Sequence, residues 1–209
     1  MAPTRTLAAI DVENEPMKKH SSLQTIRDEH ASLAAMLQSM RMMVERGPSD
    51  DRRNFFDVVR AMLFYIDEFP ERLHHPKESN LLFPKVVKAA PKVMGAIDKL
   101  ERDHMYSEKA ARDLQHLLMA WELLGATRRQ AFEEAFKKYV DFYLEHMHLE
   151  ETVILPEAER CLNDEDWALL DKAFAENADP LTGHYPPTQE YEKLFSLIVT
   201  RAPSPIGLG

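Results

Sequence analysis

The chain is short of the residues that make staples, tight turns and membrane spans. Its 209 residues include a single cysteine, Cys161, which excludes an internal disulfide and a thiolate metal cage. With only six glycines, few places favour hairpin turns, which argues against a β-rich fold. No apolar run reaches the roughly 18–20 residues that span a bilayer. The N-terminus lacks the basic-then-apolar build of a signal peptide, so the expected setting is the reducing cytoplasm, away from any membrane. A net charge of −9 speaks against nucleic acid as the main partner. There is no phosphate-binding glycine loop, and no nucleophile stands beside a base.

What remains is rich in helix formers. An apolar fraction of 44% and a charged fraction of 29% belong to a globular chain long enough to bury a core. Residues 1–20, with Pro3 and Pro16, read as an arm. Four long helices are expected over 21–160, and residues 161–209 read as an extension of short helices. The first helix carries Ile26, His30, Leu33, Leu37, Met40 and Val44 at spacings of three and four, with Ser21 or Ser22 as its cap. The second runs from about Asp51 to Ala89, the third from Lys92 to Leu124, and the fourth from Arg128 to about Glu159, capped by Thr127. In the extension, Asn163 caps a segment bearing Trp167, Leu170 and Phe174, and a last helix carries Tyr191, Leu194 and Ile198.

The pattern repeats. His74-His75-Pro76-Lys77-Glu78 and His146-Met147-His148-Leu149-Glu150 share His, then Glu four residues on, then a Pro six beyond that, Pro84 and Pro156. Upstream, His30 answers to His104, and Tyr65-Ile66-Asp67 answers to Tyr139-Val140-Asp141. The first copy holds two extra residues between Asp67 and His74, next to Pro70. That predicts a kink or bulge just ahead of His74 and none at the equivalent place in the fourth helix.

Residues four apart project from one helix face, so His74 and Glu78 converge, as do His146 and Glu150. Both His104 and His146 lie 21 residues from Gly125, or about 30 Å at helical rise, which sets them level in an antiparallel hairpin. Four histidines and two carboxylates on four helices have the make-up of a site for two divalent ions, with iron the expected occupant. Glu108, one turn beyond His104, is expected as a seventh ligand, the alternative being a pair with Arg112. His75 and His148 are expected to point elsewhere, and His116, His20 and His184 have no partners at ligand spacing.

The array His30, His74-x-x-x-Glu78, His104 and His146-x-x-x-Glu150 resembles the hemerythrin-like (HHE cation-binding) family over residues 22–159. The Leu-Phe-Pro84 and Ile-Leu-Pro156 tails resemble it too. The resemblance implies an up-down-up-down four-helix bundle around two non-haem iron ions, oxo- or hydroxo-bridged, with Glu78 and Glu150 as bridging carboxylates and the histidines as terminal ligands. It implies a small diatomic molecule or peroxide as the partner at the metal. The chain departs from the oxygen-carrying members in having Glu108 where they have His, and His-x-x-x-Glu where they have His-x-x-x-x-Asp, which puts oxygen transport in doubt. Binding or sensing O2, NO or peroxide, and buffering iron, come first. Peroxide or O2 turnover as an oxidoreductase is an alternative. A ferritin-like site built on Glu71, Glu101 and Glu145, and a metal-free helical interaction module, are the remaining readings.

Overall fold

A computed structural model describes residues 20–48 and 51–209, and among these it is all helix, with no strand. The arm expected over residues 1–20 therefore lies outside the described residues, except for His20, whose ring stacks on Trp167 at 4.3 Å. Four long helices form the bundle: α1 (Ser21–Arg46), α2 (residues 52–89), α3 (Met94–Leu124) and α4 (residues 129–161). Two short ones follow, α5 (Asp164–Ala175) and α6 (Glu192–Arg201).

Helix ends depart from the expected caps in an instructive way. Neither serine caps α1. Instead the backbone N–H and hydroxyl of Ser22 donate to Asp171 of α5, at 2.8 and 2.6 Å, so a carboxylate from the far end of the chain satisfies a free N–H of the first turn. Thr127 does not cap α4 either. The chain turns at Gly125, in the positive-φ region at 91°, then makes a 3-10 turn over Ala126–Arg128. Asn163 does cap α5, accepting from the Asp166 N–H at 2.9 Å.

The bulge ahead of His74 is present. Residues Asp67–His74 are π-helical and contain Pro70, so the two extra residues are absorbed by widening the helix rather than by ending it. The equivalent stretch of α4 is plain α-helix. A second feature was not expected. Both copies widen again directly at the repeated glutamates, over Glu78–Leu82 and Glu150–Ile154. Each such turn precedes a proline, Pro84 or Pro156, which has no N–H to donate and crowds the turn before it. The duplicated proline thus carries a duplicated backbone distortion.

The core is split in two. One apolar cluster joins Met36, Phe56, Met62, Leu114, Trp121 and Phe132, among others, and another joins Ile26, Phe83, Val86, Leu100, Ile154 and Trp167 with their neighbours. Between them the four helices pass through a buried polar layer containing His30, His74, His104 and His146. The C-terminal helices seal both clusters, with Trp167, Leu170 and Phe174 in one, and Phe195 and Ile198 in the other.

Candidate metal centre

Six of the seven expected ligands meet in the polar layer. Glu78 Oε1 lies 3.2 Å from His74 Nε2 and its Oε2 lies 3.5 Å from His104 Nε2. Glu150 Oε2 lies 3.3 Å from His30 Nε2, while its Oε1 lies 3.1 Å from His146 Nε2 and 3.8 Å from His104 Nε2. Each carboxylate therefore spans two pairs of histidines, His30 with His74 and His104 with His146. Both are essentially sealed from solvent, Glu78 at 0% and Glu150 at 1% exposure.

Three of the other ring nitrogens are held from behind, and His146 Nδ1 has no hydrogen-bond partner. His74 Nδ1 lies 2.6 Å from Glu29, which also accepts from Asn177 at 3.0 Å. His30 Nδ1 lies 3.0 Å from Glu151. Ser79 Oγ lies 2.9 Å from His104 Nδ1 and donates onward to Glu101. Asp103 stands 3.5 Å from His146 Nδ1. An ionised carboxylate can only accept, so His30 and His74 carry their protons on Nδ1 and turn Nε2 lone pairs inward. This backing by oxygen acceptors is what orients imidazoles around a bound metal.

The residues fit a cation. His30 Nε2 and His74 Nε2 face each other at 3.3 Å, a contact that needs positive charge between the two lone pairs. All four oxygens of Glu78 and Glu150, together with His104 Nε2 and His146 Nε2, are buried without a hydrogen-bond partner. Such orphaned polar atoms each cost free energy, on the order of 1–3 kcal/mol and more for charged groups, which a shared metal would remove. Two sets, His75–Glu78–His104–His146 and His30–His74–Glu78, bring ligand atoms within 4.8 Å of one another.

Protons take the place of that charge when no metal is bound. Burial pushes Glu78 up, but the charges of His74 and His104 outweigh it and hold its carboxyl well below the usual range. Burial and Glu78 push Glu150 up, yet His146 and His104 bring it down to about 2. Burial opposes charge on His104, but Glu150 and Glu78 raise it to about 9.

Glu108 does not join them. Its side chain is 53% exposed and accepts from Arg112, one turn on, which corrects the expectation of a seventh ligand. Ser107 takes the inward place, buried and donating to Glu71 at 2.9 Å. The inward positions of α3 are Ile97, Leu100, His104, Ser107, Ala111, Leu114, Leu118 and Trp121. Their spacing alternates three and four, so the residue after His104 on the buried seam is three on, not four. Glu151 stays half-exposed, at 43%, behind His30 rather than in the centre. His148 and His116 are exposed, and exposed His184 lies against Asp28.

His75 is the residue whose direction the sequence misplaced. It is 5% exposed, stacks on the His104 ring at 4.1 Å and faces the layer. Glu71, Glu101 and Glu145 do not assemble a ferritin-like site. Glu71 is bound to His75, Tyr143 and Ser107, Glu101 accepts from Ser79, and Glu145 is 71% exposed beside Lys99. Beside the layer, a cavity of about 20 Å3 reaches His30, His74, His75 and His146 and is walled by Leu33, Phe69, Leu73 and Met147, with room for about one water.

The family model described as "Hemerythrin HHE cation binding domain" matches residues 21–158. An uncharacterized protein of Haemophilus influenzae is 33% identical over 95 residues, which is 46% of this chain. The chain spans about half the length of that relative, 53%. No described helix is long and apolar enough to cross a membrane.

Proposed function

The chain belongs to the hemerythrin HHE cation-binding family, and from that premise we propose that it holds two metal ions, iron by preference, and presents them to a small molecule such as O2, NO or peroxide. The observation that carries this reading is the pair of sealed carboxylates, each with one oxygen toward either histidine pair and none with a hydrogen-bond partner. Glu78 and Glu150 would be shared by both ions. His30 and His74 would serve one, His104 and His146 the other. Mixed imidazole and carboxylate donors suit iron. Iron held there supplies one-electron redox chemistry and a Lewis-acid position for a small ligand.

The protein's own part is to position and to exclude. Glu29, Glu151 and Ser79 fix the rings, and the two apolar clusters keep bulk water from the layer. The cavity beside the layer has room for a molecule about the size of water. Asn177, which follows α5, reaches Glu29 behind His74, so the C-terminal extension supports the site directly.

Loading the metal-free protein with Fe(II) without oxygen, followed by desalting, should give two irons per chain. Azide or NO should then change the optical spectrum. Fewer than two irons per chain would overturn the reading. His74→Ala or His146→Ala should lose most of one or both ions. Steady turnover of peroxide by the loaded protein would instead favour the oxidoreductase alternative.

Replacing Glu29 by Gln keeps the shape of the side chain but removes the charge behind His74. Metal affinity should fall roughly 10- to 100-fold, the usual effect of losing a group that orients a ligating imidazole. A competitive chelator titration measures it. Unchanged affinity would show that packing alone holds the ring.

A further inference from the structure

Resting on the two-metal reading, we propose that His75 is a fifth nitrogen donor, serving the His104/His146 end of the centre. The site would then be asymmetric, with three imidazoles at one end and two at the other.

The first argument is position. The ligand atoms of His75, Glu78, His104 and His146 lie within 4.8 Å of one another. The His75 ring centroid is 5.4 Å from that of His146 and 4.1 Å from that of His104. The second is construction. His75 Nδ1 lies 3.0 Å from Glu71 Oε2, the same oxygen backing that His30 and His74 have, which leaves Nε2 as the nitrogen available to a metal.

The third is the whereabouts of a single proton. Tyr143 Oη lies 2.9 Å from Glu71 Oε1 and 3.3 Å from His75 Nε2. A phenol has one proton to give. The contact to Glu71 is the shorter of the two. His75 Nε2 is left buried with one long contact, to the phenol oxygen at 3.3 Å. A cation is what would satisfy it.

The rings of His75 and His104 are nearly parallel, at 14°. Two stacked rings cannot both contain one ion in their planes, so ligation asks the His75 ring to tilt away from Tyr143. The contact it gives up, at 3.3 Å, is longer than an ordinary hydrogen bond. The tandem repeat explains why the asymmetry exists. The position matching His75 in the second copy is Met147, so only one end gains a third imidazole. It is the end nearer α3, where Glu108 turns away.

The test uses the full chain loaded with 57Fe. Wild-type iron content is measured first; two ions per chain establish the premise, and fewer would sink the premise rather than this assignment. His75→Ala should release one of the two ions to a chelator at least tenfold faster than wild type and alter the Mössbauer doublet of that ion alone. His75→Gln is the second variant should the alanine protein fail to fold. His148→Ala, at an exposed histidine, should match wild type. Tyr143→Phe, which leaves His75 without its competing contact, should release that same ion no faster than wild type. Folded His75 variants that keep both ions, both doublets and both release rates would overturn the proposal, as would faster release from Tyr143→Phe.

Discussion

Glu78→Gln is expected to leave a folded chain that retains less than half of the metal that the parent retains. Glu78 is the most completely buried of the expected ligands and offers one oxygen to each histidine pair, so a single substitution acts on both ions. An amide of the same shape keeps one oxygen but carries no charge, and its NH2 group faces a histidine lone pair. Losing a directly ligating anion should exceed the roughly 10- to 100-fold loss expected for orienting groups. Metal content after desalting against a chelator would check it. Two ions retained would mean that Glu150 alone can be shared between them.

The same substitution should change how the metal-free protein responds to pH. His104 is raised from 6.5 to about 9, so its pairing contributes fully below 6.5 and is lost as pH rises through about 9. Glu78 is lowered from 4.5, so its share is full above 4.5 and is lost as pH falls through its depressed value. The metal-free parent should therefore exceed Glu78→Gln in stability most between pH 4.5 and 6.5, and the gap should narrow as pH rises through about 9 and through the raised value of His74. Metal binding runs the other way, since the imidazoles must shed their protons first. Thermal melts across this range give the curve, and a gap independent of pH would contradict the charge pairing.

The second large effect concerns the scaffold. Trp121 is 1% exposed and its ring meets Phe55, Phe56 and Phe132 at 5.2, 5.3 and 5.6 Å, while Arg129 lies over its face. It plugs the apolar end of the bundle where α3 turns into α4. Trp121→Ala should cost about 3–5 kcal/mol from lost burial and the cavity left behind, and lower the melting temperature by roughly 6–20 °C. Metal content of the folded fraction should not change, because the ring lies among the apolar cluster and not in the polar layer. A melting temperature within two degrees of the parent would show that the surrounding rings collapse into the space. Loss of metal from the folded fraction would show that the two ends of the bundle are coupled.

Much of the centre was legible in the chain because a helix converts spacing into direction. The i, i+4 pairs His74/Glu78 and His146/Glu150 had to share a face, and the tandem repeat marked His30 and His104 as their partners. The bulge ahead of His74 followed from two inserted residues and a proline. The widened turns at Glu78 and Glu150 had their cause in Pro84 and Pro156, but a proline says only that the ladder must break, not that it opens into a π turn. Glu108 was misjudged by counting fours along α3, whereas the buried seam runs in alternating threes and fours and selects Ser107. That signal was present in Ile97, Leu100, Ala111 and Leu114.

By itself the sequence determined the all-helical bundle, the four histidines and the two shared carboxylates, since local periodicity and an internal repeat are enough to set which face each residue occupies. Only the tertiary structure decided what lies on the flanks of those faces. The inward side of α2 is broad enough to bury Glu71, His74, His75 and Glu78 together, and its breadth depends on which helices pack against it. Likewise, nothing local in Asp171, Asn177 or Asp179 tells that they reach Ser22, Glu29 and Tyr65. Those contacts join residues 114 to 149 positions apart, and periodicity, which sets direction within one helix, carries no information about which helix it will meet.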